Sequence, residues 1–399
     1  MTDNKPRKSF INVILLSIVS FLNDLSSEMI MPILPMFLES LGATGMIVGL
    51  TGGLRDSIES ILKIVCGYWS DKTGKRKIFV YSGYGTSVVF KLLLGLSRTW
   101  HAALAAVSAE RIGKGLRTAA RDALIAESMT NNNRGKGFGI HRGLDTAGAI
   151  LGSSVSFVLL WFAGMEIQTI IIVAGVVGLF ALIPIRFVKE PPVEKHNKGL
   201  KISLAILPAP LKFFILVSGI FALGNFSYMF FVMHAQQLFT GKASIAAPIL
   251  LYILYNIFYS AFAVPFGSVS DRIGRPPVII FGFALFAAVS FGFAFADSLW
   301  LFIILFALYG VVFAAVDGTQ RAMVSDLAAA NLKATALGTF HTVTGLAALP
   351  ASLIAGFLWQ RISPAATFAF GGTMALIAVA VFLIFRRHFA PPSSRTDEK

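Results

Sequence analysis

Asp24 and Glu28 stand four residues apart inside an apolar run, so on a helix they share one face. Arg55, Asp56 and Glu59 stand inside a second such run, and Glu110, Arg111 and Lys114 inside a third. His141, Arg142 and Asp145 stand inside a fourth, with His141 and Asp145 again one helical turn apart. At the centre of an apolar helix each charge costs about 2.5–3.5 kcal/mol, so such residues turn to the protein interior and pair. Acids and bases are nearly balanced here. Balance points to a network of ion pairs and away from a pocket shaped around one ion. A carboxyl in such a network can take up and release a proton as its pairs break and remake. Asp24 and Glu28 are the best carriers, with Arg55 and Arg111 as their expected counter-charges. The plainer alternative is that paired charges only fix helix packing. It accounts for one residue more easily than for so many in one half of a chain.

The elements that must position these residues are membrane-spanning helices. Of 399 residues, 56% are hydrophobic and 14% charged, against about 25% charged in soluble domains. The formal net charge is +14, but the basic residues sit mostly in short loops, which argues for membrane orientation and against nucleic acid. Apolar runs predict twelve helices, near 10–38, 46–69, 78–97, 101–125, 136–162, 167–187, 210–235, 246–268, 278–296, 298–323, 334–360 and 364–386. Each reaches the roughly 20 residues that cross a bilayer. The first run carries Asp24 and Glu28 and lacks a small-residue cleavage site, so it reads as a retained helix rather than a signal peptide. Alternate loops hold nearly all the Lys and Arg, while the others hold only Arg98, Lys242 and Arg361. That bias predicts both termini in the cytoplasm and a multi-pass protein of the cell inner membrane. The single cysteine, Cys66, lies in an apolar run and has no partner for an internal disulfide.

The chain repeats itself at a shift of 200 residues. "GYWSDKTGKRK" from Gly67 returns as "GSVSDRIGRPP" from Gly267, with Ser70, Asp71 and Gly74 falling on Ser270, Asp271 and Gly274. Phe21, Ser27 and Met29 fall on Phe221, Ser227 and Met229, Arg121 on Arg321, and His141 on His341. One register in several separate elements means a duplicated six-helix unit. An even number of spans gives both copies the same orientation, hence two bundles related by an axis along the membrane normal. The expected domains are 1–189, a linker 190–209, a second bundle 210–388 and a disordered tail 389–399. The copies differ in chemistry. Under the shift Glu28 becomes Tyr228, and Arg55, Asp56 and Glu59 become Tyr255, Asn256 and Tyr259. The first bundle is ionic. The second offers Asn225, Tyr228, Tyr252, Tyr255, Asn256 and Tyr259 at the same depth, groups that can grip a solute by ring faces and hydroxyls. The glycines of "GLTGG" and "GAILGSS" allow close helix approach. His141 and His341 lack a nearby Cys or acid cluster and are not read as metal ligands.

With these motifs in view the chain resembles the major facilitator superfamily of secondary transporters, over nearly its whole length. "GYWSDKTGKRK" is similar to that family's loop G-x-x-x-D-R-x-G-R-K, with Lys72 in place of its Arg. "RIGKG" at Arg111–Gly115 resembles its R-x-x-Q-G, with Lys114 in place of Gln, and Pro32 and Pro35 fit the end of its first helix. "FLNDLSSEMIMPILP" and "ERIGKGLRTAARDALIAES" look like a poorly characterised prokaryotic subgroup. The Gly-Pro pair of the family's antiporter motif is absent from "GLDTAGAILG". The resemblance implies an all-α membrane fold of twelve helices in two pseudo-symmetric six-helix bundles. It also implies a gating loop built from Gly67, Asp71, Gly74 and Arg76 with its copy at Asp271. In that loop Asp71 latches the bundles on the cytoplasmic side, with Arg121 as a candidate partner.

The function expected is a proton-coupled transporter of a small organic solute, working by alternating access, monomeric, without cofactor, with efflux favoured. Nutrient or siderophore uptake and lipid translocation on the same scaffold are the alternatives. A lateral apolar opening would favour the last. A channel is disfavoured because two unlike halves give no ring of repeated pore charges. An enzyme is disfavoured because no nucleophile triad, zinc motif or phosphate loop is visible.

Overall fold

The computed structural model describes residues 6–129, 134–190, 206–329 and 332–385, and all its regular elements are helices. The expected tail, and most of the expected linker, lie outside the described residues. The first half comprises α1 (Pro6–Ile30), α2 (Leu34–Ser40), α3 (Gly45–Thr73), α4 (Arg76–Gly95), α5 (Trp100–Glu127), α6 (Arg134–Trp161), α7 (Ile167–Phe180) and α8 (Leu182–Phe187). The second comprises α9 (Ala209–Gly224), α10 (Met229–Gln236), α11 (Ala243–Ile273), α12 (Arg275–Ala294), α13 (Leu299–Leu327), α14 (Lys333–Arg361) and α15 (Pro364–Ile384). Grouped as spans, α1 with α2, α7 with α8 and α9 with α10 each form one, giving the twelve expected. Ten are long and apolar enough to cross a membrane. The two long helices outside that set, α3 and α5, are the ones loaded with Arg55, Asp56, Glu59, Glu110, Arg111 and Lys114. Their charges lower the apolarity of segments whose length still spans a bilayer.

Three spans are broken: the sixth at Ala181, between α7 and α8, and two others whose breaks have a clear local cause. Pro32 and Pro35 interrupt the first: a 3-10 turn, Met31–Ile33, separates α1 from α2. The seventh was expected as one helix, 210–235. Instead α9 ends at Gly224 with Asn225 at φ −89°, ψ 69°, and α10 begins only at Met229. The freed Ser227 N–H donates to Ser352 Oγ at 3.1 Å. Irregular backbone at this depth is tolerated where protein or a cavity receives its polar groups.

Within the first half α1 packs on α6 and α4 on α5; within the second α11 packs on α13 and α12 on α15. The halves meet where α3 packs on α14 and α6 on α11. Glycine makes the first of these seams possible. A Cβ on Gly49 would overlap the carbonyl oxygen of Ser352, and one on Gly53 would lie 2.9 Å from Leu349 Cα. From the other side, a Cβ on Gly356 would lie 2.7 Å from the Gly45 oxygen. The interiors differ as the residue types predict. Buried in the second half are Phe214, Phe230, Phe231, Phe283, Phe286, Phe293 and further phenylalanines. Buried in the first are Arg55, Lys91, Glu110, Arg111 and Arg117.

Chain direction puts the turns at Gly74 and Gly274 on one face, called here the loop face. There Lys77 Nζ donates to the Val188 oxygen at 2.7 Å, and Asn12 Nδ2 to the Lys189 oxygen at 2.7 Å. At the opposite face the halves are tied together. Lys242 Nζ donates to the Trp161 oxygen at 2.6 Å, and the Met46 N–H to Gln360 Oε1 at 3.4 Å.

Candidate functional site

The break between α9 and α10 turns Asn225, Ser227 and Tyr228 toward α3 and α11, and a cavity of about 210 Å³ lies among them. Arg55 and Asp56 form its ionic side; Tyr228, Tyr252, Tyr255, Tyr309 and Phe313 form its aromatic side. Asp56, Asn225 and Phe313 also line a second space of about 320 Å³, which continues past Asp317, Gln320, Arg321 and His341 toward the loop face. The side chains of Asp317 and Arg321 are 49% and 45% exposed there, so this side of the cleft is the open one.

Four of the six tyrosines and amides named from the sequence therefore line the cavity: Asn225, Tyr228, Tyr252 and Tyr255. The other two do not. Asn256 is buried and donates to the Tyr252 oxygen at 3.1 Å. Tyr259 is built into a bridge between the halves. Arg142 Nη2 donates to its oxygen at 2.8 Å, and its hydroxyl donates to Asp317 Oδ2 at 3.0 Å, where Arg321 Nη2 also donates at 3.1 Å.

Two further contacts close the opposite side. The Tyr252 hydroxyl donates to Glu28 Oε2 at 2.9 Å, and the Tyr228 hydroxyl to the Met31 oxygen at 2.8 Å. Each joins the first span of one half to an aromatic residue of the other. The tyrosine rings form a continuous wall: Tyr228 and Tyr252 have centroids 5.5 Å apart, Tyr252 and Tyr255 5.7 Å, and Tyr255 and Tyr309 5.1 Å.

The ionic residues separate into groups. Arg111 holds Glu59 through Nη1 at 3.1 Å and Glu110 through Nε at 2.8 Å, and Lys114 reaches Glu59 at 3.2 Å. Arg111 is thus the counter-charge of these two acids, and not of Asp24 or Glu28 as the sequence suggested. Arg55 likewise stands beside Asp56, at 3.9 Å, with its guanidinium 5.2 Å from the Tyr228 ring centre. His141 and Asp145 approach to 3.5 Å, on one face of α6 as their spacing requires. Asp24 accepts from the Asn23 amide at 3.3 Å and lies in the field of Asp145, Lys114 and Arg121. Lys91 was missed. It is buried and donates to Ser26 Oγ at 3.0 Å and to Asn23 Oδ1 at 3.3 Å. A lysine inside the apolar run 78–97 is itself the signal. Asp317, inside the run 298–323, was open to the same reasoning.

Gly74 has φ 69° and ψ 3°, the left-handed conformation that suits glycine at a tight turn, and Gly274 has φ 92° and ψ 158°, positive but extended. The partner of Asp71 differs from expectation. Asp71 Oδ1 accepts from Arg76 at 3.0 Å, and Arg76 reaches on to Glu127 at the end of α5. The second copy repeats the arrangement: Arg275 pairs with Asp271 and, at 3.1 Å, with Asp326 at the end of α13. Arg121 is engaged elsewhere, with Asp122 at 2.9 Å and Ser20 at 2.7 Å. Each triad lies within its own half. While the loop face is open, a latch between the halves has no contact here. Gly67 lies on α3 under the same turn, facing Ala119 of α5. Asp71→Asn is expected to leave the protein in the membrane and to cut transport severalfold, because Arg76 then keeps only one anionic partner, Glu127. Immunoblotting of membranes alongside a flux assay checks this; flux equal to the parent's would remove Asp71 from the cycle.

Two six-helix halves closing on a cleft that is ionic on one wall and aromatic on the other make the architecture of a membrane transporter. The family model described as Major Facilitator Superfamily matches residues 16–249 and 214–399, and the chain belongs to that family. An uncharacterized MFS-type transporter of Methanocaldococcus jannaschii is 52% identical over 93% of this chain and 94% of its own length. The class G tetracycline resistance protein of Vibrio anguillarum is 24% identical over 91% of this chain and 94% of its own. Among solved structures, a mutant of the nucleoside transporter NupG superposes with TM-score 0.80 at 13% identity, covering 95% of this chain and 100% of that one. At that identity the likeness concerns the fold.

Proposed function

We propose that the protein moves a small organic solute across the cell inner membrane by alternating access, coupled to protons, as a monomer with both termini in the cytoplasm. The observation that carries the coupling is the hydrogen bond from Tyr252 to Glu28. It links the two halves through a group that can be protonated and that is bonded to Tyr252 of the cavity wall. A carboxylate accepts such a bond roughly twice as strongly as a neutral carboxyl does. Protonating Glu28 therefore loosens the closed side, and releasing the proton restores it. Asp24, one turn away on the same helix, is the second group in the path. The Arg142–Tyr259–Asp317 bridge opposes any separation of α6 from α11. The 200-residue repeat makes rocking of one half against the other the natural motion.

Export is the favoured direction. The aromatic wall suits amphipathic compounds, and the loop-face opening meets them from the side where the Lys and Arg loops lie. The tetracycline resistance protein among the more distant relatives fits the same direction. The test is accumulation of labelled amphipathic compounds by proteoliposomes with and without an imposed pH gradient. Accumulation that needs the gradient and collapses with a protonophore is the expected result. Accumulation indifferent to both would overturn the coupling.

A further inference from the structure

Arg55 is buried differently from the other basic residues of its half. Lys91, Arg76, Arg111 and Arg117 are each buried and each donate a hydrogen bond to a named partner. The Arg55 side chain is 10% exposed, and among the described residues it donates none. Its Nε has no partner, and its nearest carboxylate oxygen, on Asp56, is 3.9 Å from Nη1, beyond hydrogen-bond reach. A buried Nε without a hydrogen bond is costly, and the Nη1 and Nη2 atoms, not sealed away with it and bonded to no described residue, are free to donate to a ligand in the cavity. The guanidinium faces a cavity of about 210 Å³ with room for such a ligand.

We propose that Arg55 anchors an anionic group of the transported solute, and that the solute is an amphipathic monocarboxylate. The planar fork of Arg55 matches a carboxylate bidentately. Asp56 beside it disfavours a dianion, because a second negative charge would meet the Asp56 carboxylate. Tyr255, Tyr309 and Phe313 offer the apolar body of the solute ring faces across the same cavity. When the solute arrives, Arg55 exchanges its loose contact with Asp56 for two short bonds. This assignment rests on the transporter reading of the cleft.

The test is thermal unfolding of the purified protein in a neutral detergent with three matched probes: 3-phenylpropionate, its amide, and 3-phenylpropylamine. A panel of larger aromatic monocarboxylates extends the first. Carboxylates are expected to raise the melting temperature, and the amide and amine to leave it unchanged. In Arg55→Gln the affinity for carboxylates should fall roughly ten- to hundredfold, the loss of charge-assisted bonds. The melting temperature without ligand should change little, because Arg55 gives up only its 3.9 Å approach to the half-exposed Asp56 and its 5.2 Å contact with the Tyr228 ring. Arg55→Lys, which keeps the charge and loses the fork, should show an intermediate response, and it carries the test if Arg55→Gln fails to fold. The proposal is overturned if the amine or amide matches the acid, if Arg55→Gln responds like the parent, or if no carboxylate shifts the parent. Binding is measured here without gradient or flux, so failure of this assignment and failure of proton coupling are separate outcomes.

Discussion

Replacing Glu28 with Gln is expected to abolish accumulation driven by a pH gradient while leaving exchange of solute across the membrane. The side chain keeps its length, and Gln still offers an oxygen to the Tyr252 hydroxyl, which now lies 2.9 Å from Glu28 Oε2. What disappears is the change of charge. A permanently neutral group at this position fixes the strength of the link between the halves, so the proton no longer biases the closed side. Bound solute can still carry the transporter from one face to the other. Counterflow should therefore survive within a few-fold of the parent, and uphill uptake should fall to the level of empty liposomes. Tyr252→Phe separates the proton from the link: it removes the bond and retains the carboxyl, so coupling persists and turnover changes. Full gradient dependence in Glu28→Gln would take Glu28 out of the proton path and leave Asp24 to carry it.

The second large effect is on stability. Arg111, 5% exposed, stands between Glu59 and Glu110. Arg111→Leu leaves Lys114 on one side of Glu59 and removes the close cation from Glu110, whose side chain is 8% exposed. Breaking a buried pair from one side costs about 3–5 kcal/mol. Against a total of about 5–15 kcal/mol for a folded domain, that is a large fraction. Arg111→Leu should yield little monodisperse protein and lose it on mild heating. Removing the acids as well, with Glu59→Gln and Glu110→Gln, should restore much of the loss, because a neutral cluster has no unpaired charge to bury. Size-exclusion profiles after a temperature series read both results. An Arg111→Leu protein as heat-resistant as the parent would mean that water reaches these acids freely.

Much of this was legible in the residues, and the parts that were not share a cause. Apolar runs predict twelve helices, and ten of the observed spans are long and apolar enough to cross a membrane, because crossing hydrocarbon constrains length and composition together. The shift of 200 residues exposed the two halves, and it also pointed to tyrosine on one wall and charge on the other. Pairing was the part that failed. Arg111 serves Glu59 and Glu110, not the first helix, and Asp71 serves Arg76, not Arg121. Spacing along one helix says which residues share a face. It does not say how that face is rotated against a neighbour, and rotation decides which oxygen a guanidinium meets. The break at Asn225 was missed for another reason. Gly224 followed by Asn225 is a common way to end a helix, but hydropathy alone reads straight through it. Glu127 and Asp326, the far ends of the two Arg76 and Arg275 triads, were passed over because they stand at helix ends, where a charge costs little and attracts no notice.

Whether the halves rock about this cleft is best decided by distances measured between spin labels, by pulsed electron resonance, in liposomes. With the buried Cys66 replaced by Ser, one pair, Lys75→Cys with Arg272→Cys, spans the loop face between the halves. A second pair, Ala163→Cys with Asp297→Cys, spans the opposite face. All four positions are exposed and outside the cleft. As pH is lowered or solute is added, the loop-face distance should shorten while the opposite-face distance lengthens, with both populations present at intermediate conditions. Two faces that open and close together, or neither moving while solute is carried, would contradict the account.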